Sequence, residues 1–153
     1  MATSAVPAAV DALLGILRSA VGLTGVRITD GPPTNNLAGD SLFIGYQPGG
    51  DNAVSMTQAF ASAGARTRDE DFDIGCYLES RAGGIDMGAR RRRAYELLAE
   101  VENALRATDA EPEAPTLRNT VLWAHLTAGD LMQAQSDGSV AGIAFTVRCR
   151  ARI

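Results

Sequence analysis

The sequence predicts a single α+β domain, residues 1–153, with a mostly antiparallel sheet and two principal helices packed on one face. Three observations predict it. Two stretches of helical periodicity lie far apart, near the start of the chain and across residues 87–108. The β-like segments fall in groups instead of alternating with helices, which argues against a doubly wound parallel sheet. A strong two-residue hairpin signal, Asp137-Gly138, lies near the end. A chain of 153 residues suits one domain, whose folding removes roughly 70% of the unfolded surface from water.

In the first helix, Val6, Val10, Leu13, Leu14, Leu17 and Val21 fall on one stripe. Ser4 can cap its start, Pro7 suits its first turn, and Gly22 or Gly25 can end it. Residues 26–29 and 42–46 read as two strands around a loop, separated by Asp30-Gly31-Pro32-Pro33 and Gly39-Asp40. Residues 47–52 contain Pro48-Gly49-Gly50 and predict an exposed turn, and residues 54–60 fit a strand or a helix equally. Across 71–79 the pattern is plain, since Phe72, Ile74, Cys76 and Leu78 alternate with Asp73, Gly75 and Tyr77, as a half-buried strand requires.

Gly83-Gly84 then breaks the chain and Asp86 can cap a second helix, expected to run to about Thr108 with Met87, Ala94, Leu98, Val101 and Leu105 on its buried stripe. Glu102 and Arg106 are ordered for an i, i+4 pair. Residues 109–115 are proline-bearing and acidic, a solvated connector. The rest reads as a meander of strands at 120–126, 131–135 and 139–152. A two-residue loop at Asp137-Gly138 would pair Ser136 with Ser139, Ala134 with Ala141 and Met132 with Ile143.

Composition narrows the function. The chain has fourteen basic residues, all arginine, and one histidine, His125. Without lysine there is no Schiff-base amine and no Walker lysine, and one histidine makes no multi-histidine metal site. A net charge of −4 argues against a dedicated nucleic-acid binder. Cys76 and Cys149 form no disulfide framework or Cys-x-x-Cys motif, which with the lack of a leader and of a long apolar run predicts cytosolic synthesis without membrane attachment. No catalytic, cofactor-binding or metal-ligating residue is expected, and His125, in phase with Val121 and Trp123, reads as a packed or interface residue.

Two basic constellations stand out. Arg148, Arg150 and Arg152 share one face of the last strand, about 6 to 7 Å apart, either as an electropositive track or as a solvated face paired with Asp or Glu on neighbouring strands. Arg90, Arg91, Arg92 and Arg93 open the second helix, where positive charge opposes the macrodipole. They sweep around the axis, so one or two are subunit-interface candidates, or the turn is simply exposed with Arg92 balanced by Glu96. Asp69, Glu70, Asp71 and Asp73 read as a charged strand start lacking a calcium-loop pattern.

In order along the chain, the N-terminal helix, Val26-Arg27-Ile28-Thr29-Asp30-Gly31-Pro32, Leu42-Phe43-Ile44-Gly45, Glu70-Asp71-Phe72-Asp73-Ile74-Gly75-Cys76, the Arg90 to Ala94 helical segment and the closing hairpin resemble tail terminator proteins of long-tailed, siphovirus-like bacteriophages of the lambda type. The resemblance implies a non-enzymatic virion protein that closes into a hexameric ring on the head-proximal end of the tail tube, ends tube polymerisation and joins the head. Implied partners are further copies of the chain, the tail tube protein, the head-tail connector or neck protein, and phage DNA in transit through a lumen that Arg148, Arg150 and Arg152 would face. Assembly would take place in the host cytoplasm. The alternatives are a neck adaptor or tail-completion protein and, in another class, a small enzyme or anionic-ligand-binding domain, which would need a convergent pocket holding a perturbed titratable group.

Overall fold

A computed structural model describes residues 3–35, 38–50, 52–135 and 138–153. The chain runs α1 (Val6–Ser19), a short 3-10 turn (Val21–Leu23), β1 (Arg27–Asp30), β2 (Gly39–Ile44), β3 (Val54–Phe60), β4 (Arg68–Ala82), α2 (Met87–Ala104), a second 3-10 turn (Ala114–Thr116), β5 (Trp123–Ala134) and β6 (Ser139–Arg152). The predicted α+β class holds: one sheet in the order β1-β2-β4-β6-β5, with two helices against it. The 15-residue β4 is the spine. Along one edge it pairs with β6, and along the other it pairs first with β3 and then with β2.

The apolar alternation on β4 and β6 builds the core. Phe72, Ile74, Cys76 and Leu78 of β4 and Ile143, Phe145, Val147 and Cys149 of β6 pack with Leu13, Ile16 and Leu17 of α1 and Ala94, Leu97 and Val101 of α2. Asp86 caps α2 as its residue type predicts, accepting from the Ala89 N–H at 3.0 Å. Helix α1 is capped by Ala5 and not by the expected Ser4, whose hydroxyl nonetheless accepts from the Val6 N–H at 3.0 Å; Glu102 meets Arg106 at 3.2 Å as expected.

Several expectations are corrected. Val21 leaves the α1 stripe and is 88% exposed, because the helix stops at Ser19 and Ala20 turns extended (ψ 125°). Helix α2 ends at Ala104, short of Thr108, and buries Leu97, which the expected stripe omitted. Gly39-Asp40 begins β2 instead of breaking the chain, and β1 pairs β2 in parallel, the exception in an otherwise antiparallel sheet. The ambiguous 54–60 segment is a strand.

The expected three-strand meander is one hairpin of two long strands. Ala128-Gly129-Asp130 does not end the strand, since a bulge between Leu126 and Ala128 absorbs the irregularity and pairing with β6 continues. The register also differs by one residue from expectation: Ala134 opposes Val140, not Ala141, and Met132 opposes Gly142, not Ile143. A one-residue slip exchanges faces, so Leu131 lies opposite Ile143 and Met132 turns outward, 38% exposed. Ser136 and Asp137 of the expected turn, and Asp51 of the 47–52 turn, lie outside the described residues.

Both cysteines are fully buried on the helix-facing side, as alternation predicts. Burial pushes each thiol up to about 12. A polar thiol reagent at pH about 8 is therefore expected to label neither in the native protein and both after unfolding, at a rate that follows opening of the fold. Rapid native labelling would mean the strand faces are inverted.

Candidate functional site

The sheet face turned away from the helices carries the first candidate surface. Period-two geometry sends Asp69, Asp71 and Asp73 of β4 to the same side as Arg152, Arg150 and Arg148 of β6, and antiparallel pairing sets each acid directly opposite one arginine. Arg150 grips Asp71 through two contacts, Nε to Oδ1 at 2.7 Å and Nη2 to Oδ2 at 2.9 Å. Arg152 holds Asp69 in the same way, at 2.7 and 3.2 Å, and Arg148 approaches Asp73 at 4.0 Å. Three arginines and three aspartates form a ladder without net charge, so this is the paired solvated face and not a bare positive track.

The arginine hydrogen bonds hold the Asp71 and Asp69 carboxyls below their ordinary 3.8. A depressed folded-state pKa adds stability that is present above the unfolded value and lost as pH falls through the folded one. These groups are solvated, so the effect is small. The melting-temperature gap between the native protein and Arg150→Gln/Arg152→Gln is expected to reach no more than about 3 °C near neutral pH and to close below pH about 4. A gap that widens in acid would contradict the ladder.

His125 lies on this same outward face, opposite Arg148, beside Trp123, opposite Arg150. The two rings stack at 4.9 Å with 24° between planes. His125 is exposed, so of the two expectations, packed or interface, the packed one fails. The strand starts only at Trp123, so phasing from the buried Val121 does not extend through it.

The four arginines of α2 divide. Arg90 donates to the buried Ser80 hydroxyl at 2.8 Å, and Arg93 bridges Asp40 at 2.9 Å and Glu96 at 3.2 Å. These two clasp their own sheet. Glu96 is thus held by Arg93, not by Arg92 as expected. Arg91 and Arg92 are exposed and share a shallow surface with Tyr95 and Ala99.

A third feature escaped the sequence reading. An apolar cleft of about 230 Å³ opens between the C-terminal ends of α1 and α2, lined by Ile16, Ala20, Val21 and Ala104 with Glu100 and Glu111 at its rim. Glu111 is tied to Arg118, whose hydrogen bond lowers the Glu111 pKa. Ile85, just after Gly83-Gly84, is 84% exposed, and an apolar residue behind a glycine pair is a readable sign of a displayed side chain. Among the described residues no group of three or more His, Cys, Asp or Glu could hold a metal ion, and no helix is long and apolar enough to cross a membrane.

No known protein family and no curated protein matches the chain. Among solved structures, a chain from the virion of a native gene transfer agent particle is similar, with a TM-score of 0.64 over 99% of this chain and 100% of that one, at 16% sequence identity. At that identity the likeness is one of fold.

Proposed function

We propose that this protein is a structural component of a phage-like virion that caps the head-proximal end of the tail tube as a hexameric ring. The observation that carries the reading is the whole-chain likeness to a virion chain, which agrees with the order of sequence segments resembling tail terminators. The mechanism is geometric and uses no catalytic residue. Heterologous contacts that close by rotation make a ring, and a ring that matches the tube's last layer on one side while offering a different surface on the other ends polymerisation and receives the head-side connector. Arg148, Arg150 and Arg152 are the lumen-side candidates. Paired with aspartates, they would hold passing DNA weakly, as transit requires.

Localisation on intact particles tests the reading. Cryo-electron microscopy is expected to find the chain as a closed ring between tail tube and neck, and particles lacking it are expected to carry tails of uncontrolled length. Density for this chain within the neck alone would favour the adaptor reading, and density elsewhere would overturn both.

A further inference from the structure

The charges of α2 run against its dipole. Arg90, Arg91, Arg92 and Arg93 crowd its N-terminal half, Glu96, Glu100 and Glu102 follow, and its last turn holds no basic residue. Positive charge at a helix N-terminus and negative charge at its C-terminus are both unfavourable within one chain. Arg90 and Arg93 are accounted for by Ser80, Asp40 and Glu96, but Arg91 and Arg92 stand exposed. At the same basic end stands Ile85, 84% exposed, its carbonyl pinned by the Gln135 side chain at 3.0 Å and the Met87 N–H at 2.9 Å.

The opposite end of α2, about 27 Å away for 18 residues, has the complementary features. There the apolar cleft accepts a side chain of isoleucine size, and Glu100, with exposed Asp109 and Glu113 nearby along the chain, gives that end a negative character. Gly22 lets the Glu100 carboxylate lie against the cleft's rim, since a Cβ there would fall 1.7 Å from it and push that flexible side chain aside.

From these features we infer that the cleft is the seat for a second copy of this chain: Ile85 of one subunit enters the cleft of the next, and Arg91 and Arg92 meet the acidic end carrying Glu100. Knob and cleft lie at opposite ends of the helix, so one subunit cannot satisfy itself; an antiparallel pair would close as a two-fold dimer with both clefts filled, and the ring reading selects the head-to-tail arrangement instead, for which the double-cysteine variant gives species beyond the dimer. The contact is head-to-tail, the type that closes rings. The inference rests on the ring reading above and names the surfaces that would make it.

Disulfide trapping tests it. Ile85→Cys and Val21→Cys, both at exposed positions, are placed in one chain, with the native thiols buried and silent. Mild oxidation of concentrated free protein and of purified particles is expected to give a ladder of covalent dimers, trimers and larger species up to a closed ring. Each single-cysteine variant should give at most a minor dimer. Adding Arg91→Glu/Arg92→Glu is expected to weaken the ladder at least tenfold, and adding Glu100→Arg to that variant to restore part of it.

A missing ladder in both preparations overturns the inference. So does a dominant dimer from Ile85→Cys alone, which would show a face-to-face contact, or particle density in which another protein fills the cleft. A ladder without tail localisation would sink the capping role and leave the contact standing. A tail-end ring without a ladder would do the reverse.

Discussion

Replacing Glu70 with alanine is expected to cost about 3 kcal/mol, or roughly 6–12 °C in melting temperature. Glu70 is fully buried on the helix-facing side of β4. One carboxyl oxygen accepts from the Ala5 N–H at 2.9 Å at the start of α1, and the other accepts from the Gln58 side chain at 2.5 Å. Gln58 in turn reaches the Thr3 carbonyl and takes a bond from Arg68, so one acid ties the chain start, β3 and β4 together. Truncation leaves the buried Ala5 N–H without an acceptor, at about 1–3 kcal/mol, removes one of the two acceptors of the half-buried Gln58 amide, and opens a small cavity. Glu70→Gln keeps an acceptor for Ala5 and is expected to cost about 1 kcal/mol. Urea and thermal melts read both variants, and an alanine variant within about 0.5 kcal/mol of the native protein would show that the network carries no stability.

Glu70 also marks where local patterns stop being informative. Within the run Asp69, Glu70, Asp71 and Asp73 all four residues look alike in sequence, yet three face solvent and one is buried under a helix start. Period-two geometry separates Glu70 from the others, but nothing near it announces Ala5, 65 positions away, as its partner. The aspartate–arginine ladder was more accessible. Both triplets have the same spacing and opposite charge, so mutual pairing is available to inference even across 75 to 83 positions.

Elements whose signals are local are legible in the sequence: the alternation from Phe72 to Leu78, the Asp86 cap and the shared face of Arg148, Arg150 and Arg152 on β6 all depend on neighbours within a few residues. The hairpin register was not legible, because Asp137-Gly138 suits loops of more than one length and the lengths differ by one residue, enough to exchange faces. Nor was the continuity of β5, since a bulge lets Gly129 remain in a paired strand. The α2 arginines stand out in the sequence as a group, but their division depends on Ser80 and Asp40, which arrive from other strands.

Gly142→Ala is expected to be nearly as damaging, at about 2–3 kcal/mol, although glycine to alanine in a strand is ordinarily mild. Gly142 lies on the outward face of β6 beneath the Tyr77 ring, and a Cβ there would fall 2.1 Å from the hydroxyl oxygen and 2.6 Å from Cζ. The ring has little room to retreat. It stacks on Phe43 at 6.1 Å, meets Tyr46 edge-on at 6.1 Å, and donates its hydroxyl to Glu79 at 3.3 Å, forming a small apolar layer on the side of the sheet opposite the helices. A double-mutant cycle isolates the cause: in a Tyr77→Ala background the Gly142→Ala cost should nearly vanish, giving a coupling of about 2 kcal/mol. Equal costs in both backgrounds would show that the glycine is required by the strand and not by the ring. The expected coupling would instead make Tyr77 the reason for a glycine in the middle of a long strand, and would place the rigidity of the outward face in one aromatic cluster beside the charged ladder.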